Sequence, residues 1–114
     1  MSTILTYSPG QTVTIIQQVL NLDGYRADGY LGAPVITRIL LPGFTLATGY
    51  PATMSRLDVG LYNYSFTLPV GAVAVGTYVV DLSWYSPDTQ QLQQDFILVL
   101  VSAPYGVYGI LPVG

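Results

Sequence analysis

The side chains that could do chemistry in this 114-residue sequence are few in kind: six aspartates and three arginines, with no Lys, Glu, His or Cys. The commonest general base, the soft-metal ligands and a cysteine nucleophile are therefore missing. A carboxylate-pair hydrolase needs two acids held close together, and the spacing of the six aspartates selects no pair. A serine nucleophile would have no histidine to activate it, and no Gly-x-Ser-x-Gly elbow occurs. The sequence predicts a protein that is not an enzyme and that uses no cofactor.

Two aspartates, Asp23 and Asp28, lie in a glycine-rich stretch and are each followed by Gly. Their oxygens would suit calcium, but the EF-hand spacing is absent and two carboxylates rarely make a site alone. Asp-Gly pairs are also frequent in turns, where Gly adopts positive φ. We interpret both as turn residues and expect no metal site.

Aromatic residues offer a different chemistry, because the chain contains ten tyrosines and one tryptophan. Tyr25, Tyr30 and Tyr50 lie in predicted loops and are candidates for stacking on sugar rings. Other aromatic residues occupy alternating strand positions and are predicted to fill the core: Tyr62, Tyr64, Tyr78 and Trp84. A carbohydrate-binding or adhesion module is therefore kept as an alternative function.

Charge is scarce. Charged residues make up 8% of the chain, whereas an average soluble domain has about 25%. The sequence has no basic patch of the kind that binds nucleic acid. It shows no signal peptide at its start, and its longest apolar run is far below the length of a membrane helix. We expect a protein that binds neither nucleic acid nor membrane.

Periodicity favours β-strands, since β-branched and aromatic residues alternate with small polar ones and no sustained helical stripe appears. Strands are predicted over residues 12–20, 34–41, 61–68 and 91–101, with another opening at Gly76 and two short pieces between residues 44 and 58. Within the second of these, the predicted buried residues are Val35, Ile39 and Leu41. The pattern predicts an all-β sandwich or barrel in one domain, residues 1–102.

The last predicted strand is apolar on both faces. We expect its even-numbered members, from Phe96 to Leu100, to face the core. The odd-numbered members then point outward and are predicted to meet a partner: Ile97, Val99 and Val101. Fully burying such a side chain contributes about 1.5–3 kcal/mol, which favours association. Cover by the tail of the same chain is the alternative.

Residues 103–114 form an uncharged segment rich in Gly, Pro and Tyr. Disordered tails are usually polar. We therefore predict an extended arm that gains order on a neighbour, where it adds a strand to a sheet. Its predicted interface residues are Tyr105, Val107, Tyr108, Ile110 and Leu111.

Several short motifs occur in an order that is similar to one family. They are Tyr7-Ser8-Pro9-Gly10-Gln11-Thr12-Val13, Pro34-Val35, Gly60-Leu61-Tyr62, Phe66-Thr67-Leu68-Pro69 and Gly76-Thr77-Tyr78. This order resembles the bacterial and phage immunoglobulin-like domains over roughly residues 7–101. The resemblance implies an antiparallel sandwich of about seven strands. The family's Gly-x-Tyr elements correspond here to Gly60-Leu61-Tyr62 and Gly76-Thr77-Tyr78. In such an element the tyrosine ring is buried, and the tyrosine hydroxyl binds nearby backbone.

The absence of Glu and Lys from the outer strand faces is a departure from that family and argues against a soluble spacer. The resemblance implies a virion structural protein, with capsid cement or decoration preferred over a tail or neck component. Its expected partners are the major capsid protein or tail and neck proteins, and a homo-oligomer is expected. Such a protein is made in the host cytoplasm without a signal peptide and ends up in the virion.

Overall fold

The computed structural model describes residues 3–102, which contain eight β-strands and one short 3-10 turn at Ala72–Ala74. The strands are β1 (Thr3–Tyr7), β2 (Thr12–Gln18), β3 (Tyr30–Leu40), β4 (Ala52–Thr53), β5 (Ser55–Asp58), β6 (Leu61–Thr67), β7 (Gly76–Tyr85) and β8 (Leu92–Val101). In this part of the chain, no helix has the length and apolar character needed to cross a membrane.

The strands form two sheets that pack face to face. The larger sheet has the order β1-β8-β7-β3-β4 and the smaller has the order β2-β6-β5. Successive strands pass repeatedly from one sheet to the other, which is the connectivity of an immunoglobulin-like sandwich. The predicted all-β sandwich is confirmed, with eight strands in place of about seven. It is not wholly antiparallel, because β1 runs parallel to β8.

The core lies between the sheets, and no polar or charged residue is buried among the described residues. The alternation predicted for β6 and β7 is confirmed. Fully buried members are Tyr62, Tyr78, Val80 and Leu82, and Leu68, which directly follows β6, is buried as well. Half-buried members that pack against the same cluster are Tyr64, Phe66 and Trp84. The four aromatic residues predicted for the core therefore all contact it.

The facing predicted for β3 is partly wrong. Ile39 is buried as expected, but Val35 and Leu41 are only half-buried. Pro34 and Ile36 take the remaining inward positions. The pairing of β3 with β7 shifts register between Ile36 and Arg38. Such an irregularity reverses the facing of the residues beyond it, so a simple alternation cannot describe this strand.

The facing predicted for β8 is wrong. Ile97, Val99 and Val101 are 5%, 0% and 3% exposed and belong to the core, whereas Phe96 and Leu100 are 42% and 37% exposed. The reason is the register with β7. Val99 pairs with the inward residue Tyr78 and Ile97 pairs with Val80, and paired residues share a face. The three predicted interface residues are thus unavailable to a partner. The predicted arm residues Tyr105, Val107, Tyr108, Ile110 and Leu111 lie outside the described residues.

Candidate functional site

A row of apolar side chains crosses the outer face of the five-stranded sheet. Ile4 pairs with Leu98, and Leu98 pairs with Val79. Val79 pairs with Leu40, which an isolated bridge joins to Leu46. We call these five residues the outer apolar row. Its ends, Ile4 and Leu46, are 61% and 60% exposed, and its centre is half-buried. With strands about 4.8 Å apart, the row is about 19 Å long.

The residues beside the row extend the same surface. Phe96 and Leu100 lie on β8 at either side of Leu98 and are partly exposed. Next to Phe96, the Arg38 guanidinium donates a hydrogen bond from Nε to Oδ2 of Asp81. This ion pair satisfies both charges within the chain. The face is therefore apolar with a neutralised edge, and it suits an apolar partner surface better than a charged one.

At one end of the sandwich, Asp28 joins three segments of the chain. Its Oδ1 accepts hydrogen bonds from the Gly60 N–H at 2.9 Å, the Tyr62 hydroxyl at 2.9 Å and the Arg56 Nε at 3.1 Å. The Arg56 bond, followed by those from Gly60 and Tyr62, lowers the pKa of Asp28 from 3.8 to about 2. The Asp28 carboxylate and its three donors satisfy one another's hydrogen-bonding capacity, which indicates a structural role. We call this group the Asp28 brace.

The Tyr62 hydroxyl holds the Asp28 carboxylate and also interacts with the backbone of Gly29, the next residue. The ring itself is buried as predicted. Burial, and then the bond to Asp28, raises the pKa of Tyr62. Gly60 has φ +64, and a Cβ there would lie 2.6 Å from the Ala27 backbone nitrogen. Only glycine therefore allows this close approach of the β5–β6 turn to the β2–β3 loop.

The turn interpretation of Asp23 is confirmed. Asn21 Oδ1 accepts bonds from the backbone N–H groups of Asp23 and Tyr25, both at 3.0 Å, and Gly24 has φ +88. Gly29 is not among the positive-φ glycines, so that part of the expectation is wrong. Within residues 3–102, no group of three His, Cys, Asp or Glu side chains converges as metal ligands would.

The three loop tyrosines are not brought together. Tyr25 is 73% exposed in the β2–β3 loop, and Tyr30 opens β3 opposite Tyr85. Tyr50 instead lines a hollow beyond the far end of β3. Its hydroxyl accepts a bond from the Tyr64 hydroxyl at 2.8 Å, and the two rings meet edge to face at 6.0 Å. Burial and this bond raise the pKa of Tyr50. Tyr50 therefore serves the packing of the sandwich.

A cleft that the sequence did not reveal opens between the sheets at the end where β7 turns into β8. It has a volume of about 390 Å³. Its lining comes from Trp84 and Gln93 of the larger sheet, from the β7–β8 turn (Ser86, Thr89 and Gln91), and from the end of β2 and the loop that follows (Gln18, Leu20 and Leu22). We call it the Trp84 cleft. Gln91 and Gln93 each lie an even number of positions before the buried Ile97, so strand alternation places them on the same side. A correct prediction of the facing of β8 would therefore have located them at the opening.

The fold and these surfaces define an all-β, immunoglobulin-like sandwich with an apolar outer sheet face. Comparison of the chain with family models, with curated proteins and with solved structures gave no match.

Proposed function

We propose that this chain is a non-enzymatic structural subunit that docks onto a larger protein assembly through the outer face of its five-stranded sheet. The observation that carries the proposal is the outer apolar row, which runs without interruption from Ile4 to Leu46. The resemblance to phage immunoglobulin-like domains supports a virion as the setting. Within it, we favour a capsid cement or decoration protein that stabilises an assembled shell through apolar contacts.

The size of the face supports a repeated partner. The rows that contain Phe96, Leu98 and Leu100 extend about 14 Å along β8, so with the 19 Å width they cover about 270 Å². The apolar part is smaller, because Asp81 lies opposite Phe96, and Thr6 and Thr77 flank Leu100. A standard interface buries about 800 Å² on each partner. One such contact is weak, but copies that bind a lattice together gain affinity by multivalency. This favours a symmetric oligomer that binds a shell of identical subunits.

The chemistry of the face supports an apolar counter-surface. The nearest opposite charges, Arg38 and Asp81, already bind each other. A charged partner would have to break that pair to gain a new one, whereas an apolar partner gains from covering Leu98 and its neighbours. A tail or neck component is the alternative within the same class. A shell would bind many copies in a lattice and a neck would bind a single ring, so the copy number on a purified particle separates them.

The experiment measures self-association of the full chain by analytical ultracentrifugation at rising concentration. We expect reversible oligomers that weaken when both exposed ends of the row are changed, in Ile4→Ser with Leu46→Ser. Leu57→Ser is the matched control, since Leu57 is 53% exposed but lies on β5 of the other sheet. A chain that stays monomeric at high concentration, or a control that weakens association equally, would refute the role of this face.

A further inference from the structure

We propose that the Trp84 cleft binds a neutral glycan. This site is separate from the outer face of the sheet, and its ligand class does not depend on the structural role proposed above. Its lining combines one indole with three amides, two hydroxyls and two leucines: Trp84, Gln18, Gln91, Gln93, Ser86, Thr89, Leu20 and Leu22.

The cleft exists because the sandwich is incompletely closed along one side. β1 pairs with β8 only from Ile97 to Val101, so the described strands leave residues 92–96 without a neighbour on that edge. β2 is likewise the edge of the smaller sheet. Gln18 of β2 and Gln93 of β8 both line the cleft, so both edges border it. The Leu22 N–H donates a hydrogen bond to the Asp88 carboxylate. This bond joins the β2–β3 loop to the β7–β8 turn at the edge of the cleft.

At this opening, the inward-facing side chains of β7 and β8 change from apolar to polar. On β7, the buried series ends with Trp84, which is half-buried and packs against the core. On β8, the series of Ile97, Val99 and Val101 continues through Asp95 and Gln93, and Gln91 follows it in the β7–β8 turn. Gln93 pairs directly with Trp84. The amides of Gln93 and Gln91 therefore lie beside the indole, where the inward series has changed from aliphatic to polar, beginning at Asp95 opposite Leu82.

The amide and indole groups of the cleft are free to bind a ligand, whereas the Ser86 hydroxyl accepts a hydrogen bond from the Thr89 N–H at 3.3 Å. Among the described residues, the side-chain amides of Gln18, Gln91 and Gln93 have no hydrogen-bond partner. The Trp84 N–H also has no hydrogen-bond partner. None of the described side-chain nitrogen or oxygen atoms is both buried and without a partner, so this N–H must be open to solvent. Each amide can donate and accept, as sugar hydroxyls require, and an indole offers an apolar surface for a sugar ring. The lining has no charged residue, which favours a neutral sugar over an acidic one.

A peptide is the competing occupant, with the chain's own residues 103–114 as the nearest source. A peptide that adds to a strand edge is held mainly by backbone hydrogen bonds, which would leave the inward amides unused. Ser102 lies at the opposite end of β8 from the cleft, and the ten residues of β8 span about 33 Å. Twelve residues span at most about 40 Å, so residues 103–114 could enter the cleft only if nearly all of them were fully extended.

Because Trp84 is the single tryptophan of the chain, its fluorescence reports on this cleft alone. The full chain is titrated with neutral hexasaccharides built from glucose, galactose or mannose, and with an oligogalacturonate as the acidic comparison. We expect a saturable change with at least one neutral probe and a weaker response to the acidic one. Gln93→Ala should weaken binding about tenfold through loss of an amide that bonds the ligand. Gln94→Ala, on the opposite face of β8, should leave binding unchanged.

Thermal unfolding of both variants verifies that they fold, and the same titration is repeated on a chain that ends at Ser102. The proposal is overturned if no neutral probe gives a saturable change, or if the two glutamine variants weaken binding equally. It is also overturned if the signal appears only after the arm is removed, which would make the arm the occupant.

Discussion

Replacing neighbouring residues on the two faces of β8 tests which face meets the core. Ile97 is 5% exposed and lies opposite Val80, whereas Phe96 is 42% exposed and lies opposite Asp81. We expect Ile97→Ala to destabilise the domain strongly and Phe96→Ala to have a small effect. Phe96 has the larger side chain, so a ranking by hydrophobic size alone predicts the reverse order.

The magnitudes follow from burial. Truncating a buried isoleucine to alanine removes its transfer free energy and leaves a cavity, at a total cost of about 3 kcal/mol. Such a change is a large fraction of the roughly 5–15 kcal/mol by which a domain is stable. At about 4 °C or more per kcal/mol, the Tm should fall by about 12 °C. For Phe96 the ring is already partly in water, so we expect a loss of about 1 kcal/mol.

The assay is denaturation by urea at a concentration where the chain is monomeric, so that the free energy of unfolding excludes any contribution from association. Equal m-values for the variants and the parent show that the unfolding transition is comparable. If Phe96→Ala reduces the free energy of unfolding by as much as Ile97→Ala, then the facing of β8 is incorrect and the outer apolar row does not exist as described.

Four further outcomes are expected. Because folding lowers the pKa of Asp28 from 3.8 to about 2, its contribution to stability is complete above about pH 4 and disappears as the pH falls toward 2; denaturation across this range should show a steeper loss for the parent than for Asp28→Asn. Gly60→Ala should lower the Tm, since its Cβ would lie 2.6 Å from the Ala27 nitrogen; an unchanged Tm would contradict the close approach. Association should change little between low and physiological salt in sedimentation experiments, because apolar contacts are not screened. Deleting residues 103–114 should abolish assembly while circular dichroism shows a folded domain; undiminished assembly would exclude the arm as the contact.

The strands that the sequence predicted well are those in which polar and apolar residues alternate. In β6 and β7, the side chains that face water are mostly small and polar, so the inward residues Tyr62 and Tyr78 could be chosen from hydropathy alone. In β8 both faces are apolar from residue 96 onward, and hydropathy then carries no information about facing. Only the register with β7, which joins residues distant in sequence, places Val99 inside.

The remaining differences also come from long-range pairing. β1 is too short to show a clear period, and its partner is a parallel strand at the other end of the domain. The Asp28 brace depends on Gly60 and Tyr62, which local turn chemistry cannot anticipate. Trp84 was predicted to be a core residue and does contact the core, but its position at an opening depends on where β1 stops.

The parallel pairing of β1 with β8 also decides where a fused tag would lie. Thr3 lies opposite Ile97, halfway along β8 and next to its uncovered stretch, residues 92–96. A bulky partner fused before Thr3 would therefore obstruct both the Trp84 cleft and the Ile4 end of the sheet face. Ser102 lies at the other end of β8, so a partner attached beyond it starts about 30 Å from the Trp84 cleft, and carboxy-terminal attachment is the better choice for immobilising and imaging that cleft.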